Sequence, residues 1–279
     1  MKKILVPTDF SEFALHASKL AAHLAKKFDA RIYFLHAVTI PSYATGAGNQ
    51  GTAQDIAEGL FILKNVKRQF EELLKQDFMQ GVNAVTAIQY DNVYDNIVQQ
   101  SKEHDIDLIV MGTHGTSGFV NDFFIGSNTD KIVRRSKIPV ITVREEVKNP
   151  DFKKIVFASD FGDGISESFR SIAKLAHLLE AEIDLVRIIT RDDFYYTAPM
   201  LDTMDNFAET QGLRNYKCHV YTAESVQLGI NEFAKRSNAD LIATVTNGRR
   251  GLARLFNGSV TSEIVNTSPL PVLTIKAKK

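Results

Sequence analysis

The sequence predicts an α/β fold in duplicate, each copy a parallel sheet covered by helices on both faces. Three observations carry this. Short β-rich apolar runs alternate with stretches of helical periodicity along the whole chain. Lys2-Lys3-Ile4-Leu5-Val6-Pro7-Thr8-Asp9-Phe10 returns as Lys153-Lys154-Ile155-Val156-Phe157-Ala158-Ser159-Asp160-Phe161, at an offset of 151. Glycines follow the fourth apolar run, where a chain turning from strand into helix leaves backbone N–H groups open to a ligand.

In the first copy, residues 4–6 form a short β run bounded by Pro7. Apolar residues at helical spacing follow (Phe13, Ala17, Leu20, Ala21, Leu24) and end at Phe28-Asp29. Residues 31–38 are β-rich and lead into a Gly/Ala/Thr segment, 42–52. Residues 61–78 read as an amphipathic helix: Lys64, Lys67, Arg68, Glu71, Glu72 and Lys75 are solvated, and Leu63, Phe70 and Leu74 are buried. A strand at 84–89, a helix at 93–102, a strand at 108–111, a helix to about Ser136 and a strand at 140–143 complete the copy. Right-handed crossovers bring all strand C-termini to one edge, and ligands of such sheets bind where the strand order reverses. Asp9 and Gly112 both fall on that edge.

The offset of 151 holds without a gap to Thr39 and Thr190. Ala22, Leu24, Ala25 and Ala30 match Ala173, Leu175, Ala176 and Ala181. Farther on, Asp107-Leu108-Ile109 matches Asp240-Leu241-Ile242 at 133, and Gly126-Ser127 and Pro139-Val140 match Gly258-Ser259 and Pro271-Val272 at 132. A period this long indicates two domains, 1–146 and 151–279, rather than a solenoid. The second copy is shorter by 18 residues between Thr190 and Asp240, so it is expected to lack part of the lid over its crevice. The last strands, 140–143 and 272–275, are short edges expected to pair with each other about a pseudo-twofold axis or with another chain as a homodimer.

Composition narrows the function classes. Lys+Arg and Asp+Glu are equal at 33 each, so no overall field favours nucleic acid or an acidic membrane. The single cysteine, Cys218, excludes an intrachain disulfide and sits in an alternating run that reads as a strand, where it is expected to be inert. No stretch approaches the roughly 20 apolar residues of a membrane helix, and Pro7 and Asp9 cut the opening apolar run too short for a signal peptide. The expected setting is a reducing cytoplasm.

Val6-Pro7-Thr8-Asp9, the glycine pattern after the fourth strand and Ile138-Pro139-Val140 together resemble the universal stress protein family, in its tandem form. The resemblance implies, for each copy, a Rossmann-like (adenine nucleotide alpha hydrolase-like) five-stranded parallel sheet of order 3-2-1-4-5. It also implies pairing through the last strands and, in one branch, binding of ATP, or of AMP or ADP, with or without Mg. That branch carries Gly, two residues, Gly, nine residues, Gly, then Ser or Thr. The first copy has Gly112, two residues, Gly115, then ten residues before Gly126-Ser127. The second has Gly248, nine residues, Gly258-Ser259, but Val245 stands at the first glycine.

The first copy is expected to be the better site. An inserted residue can bulge outward, whereas Val245 puts a branched Cβ where backbone should approach the ligand, and would be strained if the position needs positive φ. Against this, Arg249, Arg250 and Arg254 of the second loop would suit phosphate. The resemblance assigns Pro7, Thr8, Asp9, Val38, Met111, Gly112, His114, Gly115, Gly126, Ser127, Asn128 and Thr129 to the first site. It assigns Asp160, Gly248, Gly258, Ser259, Val260 and Thr261 to a weaker second one.

Each assignment has a plainer alternative. Asp9 followed three residues later by Glu12 is a capping box in outline, and Asp160 with Asp163 repeats it. Val38 equally suits the core, His114 in a loop favours plain solvation, and Ser127 and Thr129 favour helix capping, which needs no ligand. Gly46-Ala47-Gly48-Asn49-Gln50-Gly51 matches a dinucleotide fingerprint but follows the wrong strand. A Walker lysine, a nucleophile elbow and zinc spacings are absent from the sequence. The function expected is therefore a nucleotide-binding sensor or binding module. The alternatives are a nucleotide-free dimerisation or scaffold protein, and a slow ATP hydrolase with His114 or Asp122 as base.

Overall fold

A computed structural model describes residues 1–38, 53–90, 92–114, 126–162, 164–191, 197–246 and 260–277. The chain forms two compact units, Met1–Met111 and Gly112–Lys279. The units and the sequence copies divide at different points, because the last helix and strand of the first copy belong to the second unit.

In the first unit, strand β1 (Lys3–Pro7) is central, and Ile4, Leu5 and Val6 are buried on both sheet faces, as a covered parallel sheet requires. Helix α1 (Glu12–Phe28) buries the Ala14, Ala17, Leu20, Ala21, Leu24 stripe and ends at Asp29 in the left-handed conformation, with Lys26 and Lys27 in its last turn. Strand β2 (Arg31–Val38), helix α2 (Ala53–Leu74), strand β3 (Asn83–Tyr90), helix α3 (Val93–Glu103) and strand β4 (Leu108–Gly112) follow. The strands run parallel in the order β3-β2-β1-β4, with Ile4 beside Ile32 and Leu108.

Two details differ from expectation in α2. The helix begins at Ala53 rather than at 61, since Ala, Gln and Glu upstream sustain it without an amphipathic stripe. Its buried apolar side chains are Val66, Phe70 and Leu73, spaced i, i+4, i+7, while Leu63 is half-buried and Leu74 is 39% exposed.

The second unit holds helix α4 (Ser127–Arg135), strand β5 (Val140–Val143), strand β6 (Lys154–Ala158), helix α5 (Ser166–Leu179), strand β7 (Glu182–Ile189), helix α6 (Thr197–Thr210), strand β8 (Tyr216–Thr222), helix α7 (Val226–Arg236), strand β9 (Leu241–Thr246), helix α8 (Val260–Thr267) and strand β10 (Val272–Lys276). The second copy's strands lie β8-β7-β6-β9-β10, all parallel, which is the predicted 3-2-1-4-5 order. The shortening of this copy shows in its helices: 22 residues in α2 against 14 in α6. The expected lid, the Gly46–51 loop and residues 247–259 lie outside the described residues.

Strand β5 pairs antiparallel with β10. Val140 faces Thr274, Ile141 faces Leu273 and Thr142 faces Val272, so equivalent residues of the two copies exchange places about the Ile141–Leu273 pair. All six are buried, and the Thr142 and Thr274 hydroxyls donate to the Val272 and Val140 carbonyls at 3.2 and 3.5 Å. Among the described residues no helix is long and apolar enough to cross a membrane.

Candidate functional site

The residues assigned to the first site fall in both compact units: Pro7, Thr8, Asp9, Val38 and Met111 in the first, Gly112 to Thr129 in the second. Each half has its own local architecture.

In the first unit the β1–α1 turn is built from short-range hydrogen bonds. Thr8 is buried, its N–H donates to Leu35 O at 2.9 Å, and its hydroxyl oxygen accepts from Phe10 N at 3.0 Å. Asp9 Oδ1 accepts from Ser11 N at 3.1 Å. Phe10 takes φ +62°, a left-handed conformation uncommon for an aromatic residue. These bonds correct the capping-box expectation. The α1 cap is Ser11, whose hydroxyl accepts from Ala14 N at 3.3 Å, because the kink at Phe10 delays the helix to Glu12. Asp9 instead closes an Asx turn one step outside the helix.

The second copy repeats the turn. Ser159 Oγ accepts from Phe161 N at 3.0 Å, Asp160 Oδ1 accepts from Gly162 N at 3.2 Å, and Phe161 takes φ +55°. Asp160 does not cap α5 either: that helix starts at Ser166 with Ile165 as cap residue and without a side-chain cap bond. The shared Asp therefore shapes a turn at the C-terminal end of the first strand in both copies.

The glycine half lies at the end of β4 and the start of α4. Gly126 is the cap residue of α4, with φ −56° and ψ 139°, and among the described residues no side chain caps this helix. Two bonds stitch the helix start to the strand end: Gly126 N donates to Thr113 O at 2.9 Å, and Thr129 Oγ1 donates to Gly112 O at 3.1 Å. Thr129 is buried and turned toward the strand, so it does not cap, and the exposed Ser127 is already the first helical residue. Asn128, half-buried, follows it. His114 is half-buried, with Nδ1 at 2.9 Å from the Thr113 hydroxyl.

The remaining assignments divide. Met111 is buried in β4, Pro7 ends β1 opposite Leu35, and Val38 is buried at the end of β2 opposite Tyr90. In the second copy, Val260 packs in a core with Val133, Ala158 and Val186, and Thr261 is buried beside it in the first turn of α8. Gly115, Gly248, Gly258 and Ser259 lie outside the described residues. The strain argument against Val245 falls away. Gly112 is extended strand, the described glycines with positive φ being Gly81, Gly164 and Gly212, and Val245 sits in β9 opposite Ile275.

Two residues at the turns were missed in the sequence. His36 Nδ1 lies 2.7 Å from Thr8 O, and Arg187 Nη1 donates to Asp160 O at 2.8 Å. They stand 151 residues apart, the repeat offset, and a nitrogen donor at equivalent places was the available signal.

Comparison with known proteins agrees with this architecture. The model of the Universal stress protein family matches residues 1–144 and again 151–276. A universal stress protein of Synechocystis is 22% identical over 99% of this chain and 100% of its own length. One of Methanocaldococcus jannaschii is 32% identical over 53% of this chain and 84% of its own. The crystal structure of a universal stress protein from Archaeoglobus fulgidus superposes with a TM-score of 0.69 at 20% identity, covering 99% of this chain and 97% of that one.

Proposed function

The chain belongs to the universal stress protein family, and on that premise we propose that its N-terminal domain, 1–146, binds an adenine nucleotide. The ligand is ATP, or AMP or ADP, with or without Mg, and the protein works in the cytoplasm as a sensor or binding module. The observation that carries this reading is the start of α4. A helix opens with N–H groups that have no intrahelical acceptor, and its dipole favours an anion there. Among the described residues no side chain occupies those donors in α4: the cap is glycine and Thr129 is spent on Gly112 O. Within the first unit, Asp9, held in its turn at the end of β1, is the residue that the family resemblance gives to the adenosine end of the nucleotide.

Calorimetric titration with ATP tests the reading, using wild type and Gly126→Asp. The backbone at Gly126 suits any L residue, and among the described residues a Cβ there meets nothing nearer than Thr113 O at 3.4 Å. An aspartate would cap the first turn and put its own charge where the phosphates sit. The variant is expected to melt no lower than wild type while its ATP affinity falls at least about tenfold, roughly 1.4 kcal/mol. Wild-type protein that takes up no ATP ends the proposal.

A second reading, a nucleotide-free pairing or scaffold protein, draws on the buried β5–β10 seam. Freshly purified protein without nucleotide, and no thermal shift on adding ATP, would favour it. Hydrolysis has less behind it: His114 has one ring nitrogen on the Thr113 hydroxyl, and Asp122 lies outside the described residues.

A further inference from the structure

Within the first unit, one side chain touches both neighbours of Asp9. His36 lies on β2, and its Nδ1 is 2.7 Å from the carbonyl oxygen of Thr8. A carbonyl only accepts, so Nδ1 carries the proton. The same imidazole packs against Phe10, with ring centroids 4.9 Å apart and planes tilted by 33°. Phe70, from α2, meets Phe10 edge-on at 5.0 Å. Phe10 needs such support, because left-handed backbone in an aromatic residue persists only where its surroundings impose it.

The second copy supplies a comparison within one chain. Its equivalent of His36 is Arg187, which donates to the carbonyl of Asp160, next to left-handed Phe161. Imidazole and guanidinium share little beyond an N–H that reaches from the second strand to the turn. What the position retains is therefore the donor.

We propose that His36 is the positioning residue of the N-terminal nucleotide site, fixing Asp9 by holding the Thr8 carbonyl with its Nδ1 proton, while Phe70 supports Phe10 whether or not the imidazole ring is there. The proposal rests on the nucleotide reading of that site. The plainer role, a histidine that only fills space under Phe10, makes different predictions.

The test uses two variants of the full chain. His36→Phe keeps a ring for Phe10 and removes the donor; His36→Asn keeps an amide N–H at the position of Nδ1 and removes the ring. ATP affinity by calorimetry is expected to fall about tenfold or more in His36→Phe and to stay within about threefold in His36→Asn. Wild-type affinity in His36→Phe, or equal losses in both variants, overturns the proposal. No binding by wild type overturns the nucleotide reading instead. The clamp is then read without ligand: amide exchange at Phe10 and Ser11 should quicken about tenfold in His36→Phe and not in His36→Asn, and unchanged exchange overturns it. In wild type, nitrogen NMR should find the His36 proton on Nδ1; a proton on Nε2 alone overturns the clamp whatever the variants do.

Discussion

The thiol of Cys218 donates to Asp205 Oδ1 at 3.2 Å. Burial first, then the hydrogen bond to Asp205 and its charge, push the thiol from 9.0 up to about 12. The folded state thus holds the proton more tightly than the unfolded one. Its contribution to stability is complete below pH 9 and is lost as pH rises from 9 toward 12. At pH 8, alkylation of the native protein is expected to run at least about tenfold slower than in urea, since the thiolate is the nucleophile. Equal rates would contradict the burial. The strand setting that suggested an inert cysteine was legible, but its partner on α6 was not. Asp184 shows the same limit. A carboxylate in an apolar strand is anomalous in sequence; it is 1% exposed, and Lys154 and His219 reach it at 3.1 Å from the strands on either side.

Helix starts were the least legible elements. An Asp followed three residues later by Glu is the local pattern of a cap, and periodicity cannot show that Phe10 and Phe161 turn left-handed between strand and helix. That kink hands the cap to Ser11 and leaves Asp9 in the turn. Ser11→Ala should therefore destabilise the protein by about 1 kcal/mol in urea unfolding, while Asp9→Ala costs less stability but weakens ATP binding. A larger stability loss at Asp9 than at Ser11 would return the cap to Asp9. At α4 the misreading was similar. Thr129 had the right type for a cap, but it lies three residues past Gly126 and its hydroxyl finds the Gly112 carbonyl first.

At the scale of the whole molecule, duplication shapes the β5–β10 seam and makes the two copies unequal. The seam is locally twofold: besides the exchanged strand residues, Ser262 Oγ donates to Asp130 Oδ1 at 2.6 Å, joining the equivalent first turns of α8 and α4. At the turns, however, the second copy has Arg187 in the place of His36, and at the fourth strands Val245 in the place of Gly112. Calorimetry is accordingly expected to give a single ATP per chain, weakened in Gly126→Asp. Two equal sites would restore the second copy as a nucleotide domain.

The sequence by itself determined the duplication, the alternation of strands and helices and the family, because these are recorded in periodicity and in residue types at fixed offsets. Tertiary structure alone decided which strand each edge pairs with, which hydroxyl caps and which stitches, and that His36 reaches Thr8. Those outcomes depend on groups far apart in the chain competing for the same donors and acceptors, and only the folded geometry ranks the competitors.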